Sequence, residues 1–404
     1  MEHRGLTLTM KEKNRIEIIQ AFAAGQVRLS DAARVLGRSE RTVYRLKTKL
    51  LDCGIEGLVH GNKGRPSPRA TPEKVKKKIL KLVAGKYADI NDTQLQELLE
   101  RDEGIRLGRE TLRHMLRSDG IPPKRKRRPP HYRSRRERKP AMGMMLQIDA
   151  SPHDWLEGRG PWLTLVGAID DATNFRWARF VEAETTWSYL DLMEQVFSSH
   201  GLPLSLYADR HSIFFVSREP TIEEQLKDSP PLTQFGRAMD ELGIRVIPAY
   251  SPQAKGRVER MWGVFQDRLV VELRLAGAKN IDEANRVLER VLKEFNERFR
   301  VEPKDATSVF RPAPSRAQLE RILCLKEERR VAKDHTVSFE GLVLQIPPSR
   351  HFHSIAGKRV EVLQLQDGSI QIEYRRRTVA RFSREAVARL VKTKLCGKTG
   401  LRVA

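Results

Sequence analysis

The spacing of apolar residues predicts an all-helical N-terminal part, residues 1–121, followed by a region in which strands and helices are mixed. In residues 10–50, apolar side chains recur at helical spacing in three short runs, and the first two of these end at Gly25 and Gly37. A second set of helices begins at Thr71-Pro72-Glu73, where Thr caps and Pro takes the first helical position. We therefore expect two three-helix domains, over residues 1–60 and 70–121.

Residues 141–305 carry the strongest strand signals of the chain. Three apolar runs predict an antiparallel meander, and the later elements alternate between helix and strand. The predicted elements are strands Leu146–Ala150, Trp162–Asp170 and Phe175–Ala183, helix Thr186–His200, a short strand ending at Asp209, helix Thr233–Leu242, strand Arg245–Ala249 and a final amphipathic helix. This order predicts an α/β ribonuclease H-like core with a mixed five-stranded sheet.

After a boundary near Phe310, five short strand signals predict a small C-terminal β-barrel over residues 330–385, followed by a basic tail, 386–404. They are Thr336–Phe339, Leu342–Ile346, Arg359–Leu365, Ser369–Tyr374 and Thr378–Phe382. The chain is thus expected to be multidomain.

Charge identifies the kind of partner. The chain has 75 Lys plus Arg against 52 Asp plus Glu, a net charge of +23, which favours a polyanion and nucleic acid before membrane. No apolar run approaches the roughly 20 residues of a membrane-spanning helix, and the N-terminus lacks the apolar segment of a signal peptide. The three cysteines have no metal-site or disulfide spacing. We expect a cytoplasmic protein.

Three basic surfaces are candidates for DNA contact. The third helix of the first domain resembles the recognition helix of a helix-turn-helix, the last helix of the second domain is a weaker candidate, and residues 122–140 form a proline-rich basic linker. The candidate residues are Arg41, Thr42, Tyr44, Arg45 and Lys47 in the first, Arg109 and Arg113 in the second, and Lys124, Arg125, Lys126, Arg127 and Arg128 in the linker. The alternative for either helical domain is a simple bundle with a solvated basic face.

One carboxylate stands out in the core region. Asp149 ends the apolar run that contains Met145 and Ile148, and burial of an unpaired carboxylate costs several kcal/mol. A metal ion would compensate that charge, and partner carboxylates are available at Asp209, at the end of another strand, and at Glu259, at the start of a helix. The alternative is that Asp149 caps a strand end or accepts backbone hydrogen bonds.

The stretch Ser251-Pro-Gln-Ala-Lys-Gly-Arg-Val-Glu259-Arg is similar to a signature of retroviral-type integrases and of insertion-sequence transposases with an Asp, Asp, Glu triad. The resemblance covers residues 140–300 and implies that Asp149, Asp209 and Glu259 are catalytic metal ligands. Lys255 and Arg257 precede Glu259 and are candidates to hold a DNA end near the metals. Two Mg²⁺ ions suit this chemistry, because they activate the attacking oxygen and neutralise the leaving one, and Mn²⁺ is expected to substitute.

From the same resemblance we expect a bacterial, nucleoid-associated DNA transposase. It would act on double-stranded DNA, both element ends and target, as a homo-oligomer. Two departures from the family are visible: a longer segment between Asp209 and Glu259, with an apparent insertion at 217–233, and Arg210 in place of the usual Asn after Asp209. A catalytically silent DNA-binding regulator and a structure-specific nuclease remain alternatives. Asp170 and Asp171 are expected to cap a turn.

Overall fold

The computed structural model describes residues 8–60, 63, 70–125, 129, 136–218, 231–249, 256–348 and 352–395. The chain divides into two compact units, Met1–Lys81 and Leu82–Ala404. Among the described residues, none of the helices combines the length and apolar character that crossing a membrane requires.

The first unit contains the predicted three helices: α1 (Met10–Ala23), α2 (Leu29–Leu36) and α3 (Glu40–Cys53), with a 3-10 turn at Gly54–Leu58. The side chain of Thr9 accepts from the backbone N–H of Glu12 while Glu12 accepts from Thr9, so a reciprocal cap starts α1. Gly37 ends α2 with φ 59°, a conformation that glycine adopts without strain. The buried core of the first unit contains Ile19, Ala32 and Val43.

Three further helices follow: α4 (Glu73–Ala84), α5 (Asp92–Glu103) and α6 (Arg109–Ser118). The side chain of Asn91 caps α5 by accepting from the backbone N–H groups of Thr93 and Gln94. The prediction of a second set of helices is confirmed. The domain boundaries assigned from the sequence stay predictions.

The central sheet has five strands in the order β3-β2-β1-β4-β5. Its strands and the helices between them are β1 (Leu146–His153), β2 (Leu163–Asp170), β3 (Arg176–Val181), α7 (Thr186–His200), β4 (Ser205–Ala208), α8 (Gln234–Glu241), β5 (Arg245–Pro248), α9 (Gly256–Leu275) and α10 (Ile281–Phe299). The first three strands pair antiparallel, whereas β4 lies parallel to both β1 and β5. The predicted mixed five-stranded sheet with helices is confirmed.

Apolar cores fill both faces of this sheet. Helices α7 and α8 cover one face, where Ile148 and Phe197 are buried. Helices α9 and α10 cover the other, where Phe180 and Phe265 are buried. Because successive side chains of a strand point to opposite faces, Asp149 lies on the face opposite to that of Ile148, the face covered by α9.

Helix α5 contacts α9 through polar and charged groups. Arg268 of α9 bonds Glu97 of α5 at 2.8 Å, and Asp267 accepts from Asn91 at 2.8 Å. Arg101 forms an ion pair with the buried Glu272 at 3.2 Å. Helix α5 is therefore held against α9 by charge pairing and polar hydrogen bonds.

The C-terminal part contains α11 (Arg316–Ile322), strands β6 (Leu325–Arg330), β7 (Thr336–Phe339), β8 (Leu342–Gln345), β9 (Arg359–Gln364), β10 (Ile370–Tyr374) and β11 (Arg377–Phe382), and α12 (Arg384–Leu395). All five predicted strands occur. The predicted barrel is not confirmed, because the described strands form an open sheet, β11-β10-β9-β6, and a separate β7-β8 hairpin. Apolar residues of α12, including Val387 and Leu390, pack against this core, so a helix supplies cover that barrel closure would otherwise provide.

Candidate active site

The two aspartates of the predicted triad belong to adjacent parallel strands, Asp149 at the fourth position of β1 and Asp209 just after β4. Leu146 pairs with Leu206 and Gln147 with Tyr207. If this register is continued by two residues beyond the ladder, Asp149 comes opposite Asp209, which directly follows the last residue of β4. Paired residues of neighbouring strands project their side chains to the same face. Both aspartates are half-buried, so each keeps part of its surface accessible.

Helix α9 runs along β1 and is attached to it by three successive hydrogen bonds. Two of them start from consecutive turns of the helix: the indole Nε1–H of Trp262 donates to Oδ2 of Asp149 at 3.0 Å, and Nε2 of Gln266 donates to Oγ of Ser151 at 3.2 Å. One turn before Trp262, the backbone N–H of Val258 donates to the side chain of Gln147 at 3.3 Å. This series fixes the register of the helix against the strand.

Glu259 lies on α9 between Val258 and Trp262, two of the residues that form these bonds. It is exposed, and it precedes Trp262 by three residues, a spacing that places two side chains on neighbouring positions of one helix face. The structure thus holds the first turns of α9 against β1, close to Asp149. Among the described residues, however, no group of three or more His, Cys, Asp or Glu side chains lies close enough together to hold a metal ion.

A buried tyrosine and a further glutamate adjoin the aspartate pair. Tyr189 of α7 is fully buried, and its hydroxyl donates to Oε1 of Glu184 at 2.6 Å. Burial raises the pKa of Tyr189 well above its ordinary value, and the negative charges of Glu184, Asp149 and Asp209 raise it further. The hydroxyl therefore remains protonated and donates at neutral pH. The sequence analysis missed this pair, since Tyr189 has the spacing of an ordinary core residue.

The loop after β4 shows what replaces the family's usual turn. Oδ1 of Asp209 accepts from the backbone N–H of His211 at 3.3 Å, and Nδ1 of His211 accepts from Ile213 at 3.3 Å. The local turn is thus stabilised by Asp209 and His211 themselves. Most of the apparent insertion at 217–233 lies outside the described residues.

Asp170 and Asp171 have different roles, although they are neighbours in sequence. Both are fully buried. Oδ1 of Asp170 accepts from the backbone N–H and the hydroxyl of Thr173 at 2.8 Å, and Oδ2 accepts from Gly143, so the expected turn capping is found. Burial raises the pKa of Asp170 despite these bonds.

Asp171 instead joins the linker to the core. It forms ion pairs with Arg136 of the linker and with Arg257 in the first turn of α9, the latter at 2.7 Å. It also accepts from the backbone N–H of Lys139 at 2.8 Å and from Nε2 of Gln147 at 3.0 Å. For this residue the turn-capping expectation was wrong, because its carboxylate bonds to groups 24 or more residues away in sequence.

The candidate DNA contacts occupy varied positions. In the first unit, Arg41, Tyr44 and Arg45 are exposed on α3. The ring of Tyr44 contacts that of Phe22, and the ammonium of Lys47 lies 4.9 Å from the centroid of the Phe22 ring. The half-buried Thr42 lies near the start of the same helix, where its hydroxyl shares a hydrogen bond with that of Ser39.

In the second unit, the side chains of Arg109 and Arg113 are 59% exposed, and both pair with Glu110. Lys124 pairs with Asp267 at 3.3 Å, and Arg125 is exposed. The side chain of Arg257 is 11% exposed and forms an ion pair with Asp171. Four more candidates, Lys126, Arg127, Arg128 and Lys255, lie outside the described residues.

Comparison with known proteins places this geometry in a family. Residues 15–75 match the family model of a winged helix-turn helix. The chain is similar to the putative transposase y4bF of Sinorhizobium fredii, with 34% identity over 92% of this chain and 80% of that protein. It is similar as well to the transposase for insertion sequence IS1202 of Streptococcus pneumoniae, with 31% identity over 90% of this chain and 84% of that protein.

Among solved structures, the chain is similar to the catalytic core of HTLV-2 integrase in complex with magnesium. The identity is 17% and the TM-score 0.30, over 39% of this chain and 89% of that one. A chain of the simian T-cell lymphotropic virus intasome has 16% identity and a TM-score of 0.34, over 72% of this chain and 91% of that one. The two bacterial relatives, matched over most of both sequences, decide the assignment: this chain belongs to the transposase family.

Proposed function

We propose that this transposase binds the ends of its mobile element and catalyses Mg²⁺-dependent phosphodiester hydrolysis followed by strand transfer, with Asp149, Asp209 and Glu259 as metal ligands. The observation that supports this most strongly is the common register of β1, β4 and α9. The two aspartate-bearing strands are neighbours in the sheet, and the hydrogen bonds of Val258 and Trp262 hold the start of α9 against β1.

The donor chemistry fits the metal. Mg²⁺ takes oxygen ligands and is commonly held by one or two protein carboxylates together with substrate phosphates. Asp149 and Asp209 supply two such carboxylates on adjacent strands, at an accessible edge. Glu259 supplies a third from an exposed position, where it would reach the metal once DNA is bound. The bound ions would activate the attacking oxygen and neutralise charge on the leaving oxygen.

Each residue has a distinct task in this proposal. Asp149, on the strand next to Asp209 and bonded to the first turns of α9, would be the central metal ligand. The indole of Trp262 donates to its carboxylate at 3.0 Å. The protonated hydroxyl of Tyr189 orders Glu184 beside the aspartates. Asp171 fixes the first turn of α9, and therefore Glu259, through Arg257.

DNA recognition is assigned to the basic surfaces outside the core. Helix α3 would read the element end, with Arg41 and Arg45 exposed for contact. Arg109, Arg113 and the linker would bind phosphates, which raises affinity for any sequence and makes binding strongly dependent on salt. A homo-oligomer that holds two ends, and later the target, completes the proposal.

The test uses duplexes that carry the terminal inverted repeats flanking the gene, incubated with Mg²⁺ and wild type, Asp149→Asn or Asp154→Asn. Asp154 is a matched control, since it lies five residues further on, in a turn where it accepts from the backbone N–H of Gly158. We expect wild type and Asp154→Asn to release a 3′-hydroxyl end and to join it to target DNA. Asp149→Asn should bind the ends without cutting them.

Two results would replace the proposal. Binding of the ends by wild type without any nick would favour a silent DNA-binding regulator. Cutting that follows DNA structure, with no preference for the element ends and no joined product, would favour a structure-specific nuclease.

A further inference from the structure

Trp262 is bonded to the residue on which the proposed chemistry depends. Its side chain is nearly buried, at 7% exposure, yet its indole N–H reaches Oδ2 of Asp149 at 3.0 Å. An indole nitrogen only donates, so the carboxylate must be the acceptor. Hydrogen bonds to charged groups are stronger and shorter than those between neutral groups. One oxygen of Asp149 is thus already occupied by a protein donor.

The opposite strand is shaped to admit this indole. Gly167 of β2 pairs directly with Asp149 of β1. A Cβ atom at position 167 would lie 2.8 Å from Cη2 of Trp262 and 3.0 Å from Cε of Met261, closer than packed carbon atoms approach each other. Glycine is therefore required here for space, and it lets the ring lie against the strand beside the carboxylate.

The ring is also held from its own helix. Phe265, one turn further along α9, contacts Trp262 with ring centroids 6.0 Å apart and is fully buried. The indole is therefore enclosed by β2 on one side and by the α9–α10 core on the other. Such packing leaves the donor little freedom, and the orientation of the Asp149 carboxylate follows from it.

We propose that Trp262, seated over Gly167, is a positioning residue that fixes the carboxylate of Asp149 for metal binding. This inference rests on the proposed function, because it takes Asp149 as a metal ligand. Hydrogen bonds from outer residues orient ligating carboxylates, and their loss typically weakens metal affinity or activity by about 10–100-fold. The indole acts through Asp149 and needs no contact with DNA.

The first test compares Trp262→Phe with Trp177→Phe. Phenylalanine keeps an aromatic ring but removes the N–H. The control also removes one indole hydrogen bond, since Nε1 of Trp177 donates to Oγ of Ser199 at 3.3 Å, in the core on the α7 face. Mn²⁺ binding is measured by isothermal titration with the end duplex bound, together with the Mg²⁺ concentration that gives half-maximal cutting.

For Trp262→Phe we expect the Kd for Mn²⁺ and the Mg²⁺ concentration for half-maximal cutting each to rise about 10–100-fold. The affinity for the end duplex should be unchanged. Trp177→Phe should match wild type in both. Equal metal requirements for Trp262→Phe and wild type would overturn the inference and leave the proposed function intact. A wild type that neither binds Mn²⁺ nor cuts would instead overturn the proposed function.

A second measurement does not depend on the folding of Trp262→Phe. Indole ¹H–¹⁵N resonances are recorded for wild type, Asp149→Asn and Gly167→Ala at one pH. The resonance of Trp262 should move in both variants, since one weakens its acceptor and the other displaces its ring, while that of Trp177 stays in place. A Trp262 resonance unchanged in Asp149→Asn would show that the indole does not bond this carboxylate, and the inference would fail.

Discussion

Replacement of Asp171 by Asn should destabilise the catalytic region strongly, although Asp171 is not a proposed ligand. The change keeps the shape of the side chain but removes its charge. Arg257, which is 11% exposed, would then be buried without its counter-ion, whereas Arg136 is 35% exposed and loses less. Removal of one partner of a buried ion pair costs about 3–5 kcal/mol. Because Asn still accepts hydrogen bonds, we expect the loss of unfolding free energy to be at the lower end of this range, about 3 kcal/mol.

Tryptophan fluorescence during urea unfolding measures this loss selectively. All five tryptophans, Trp155, Trp162, Trp177, Trp187 and Trp262, lie in the central α/β region. A loss of about 3 kcal/mol corresponds to a change of more than about a hundredfold in the unfolding equilibrium. Asp240→Asn, on the exposed face of α8, is the control and should change stability by less than about 0.5 kcal/mol. If Asp171→Asn resembled Asp240→Asn, the assigned role of Asp171 in joining linker, strand and helix would be wrong.

Three further outcomes are expected. Joint replacement of Arg41 and Arg45 by Ala should weaken binding of element ends, measured by fluorescence anisotropy. The magnitude of the slope of log affinity against log salt should fall by up to about 2. An unchanged slope would show that α3 does not contact the DNA phosphates. Burial alone would raise the pKa of Glu97, but its two arginine partners lower that pKa below the ordinary 4.5. The stability difference between wild type and Glu97→Gln, measured by thermal unfolding, should therefore be constant above pH 4.5 and shrink as the pH falls through the lowered pKa. A stability difference that persists in acid would contradict this. Tyr189→Phe should destabilise the core by about 1–3 kcal/mol in urea, since it leaves a half-buried carboxylate without its donor; no loss would mean that water replaces the hydroxyl.

Local signals in the sequence predicted most elements of the fold. Helix Thr186–His200 was predicted with its observed bounds, because Thr185 and Gly201 flank a clear apolar stripe. Strand β6, Leu325–Arg330, was missed, since its sequence Leu-Lys-Glu-Glu-Arg-Arg is charged and its place in the sheet comes from pairing with β9. Barrel closure depends on which strands pair at long range, and strand signals alone do not give that.

The candidate site was predictable to a different extent. Asp149 and Asp209 stand out in the sequence because a lone carboxylate follows an apolar run in each case, and their role as ligands stays a prediction. The sequence did not suggest that Trp262 bonds Asp149, that Gly167 makes room for it, or that Asp171 pairs with Arg257. Those contacts join residues 86 or more positions apart. A tryptophan on an apolar helix face is normally a core residue, so no local signal marks its N–H as a donor to the site.

The most direct test of the central claim is to ask whether one metal site joins all three proposed ligands. Fe²⁺ replaces Mg²⁺ in the protein bound to its end duplex, and ascorbate with hydrogen peroxide then generates hydroxyl radicals that cut the backbone near the metal. Mass spectrometry of the fragments should locate cuts beside Asp149, Asp209 and Glu259 together, with all three lost in Asp149→Asn and retained in Asp154→Asn. Cuts beside the two aspartates but none near Glu259, or cuts that persist in Asp149→Asn, would contradict a single site built from these three carboxylates.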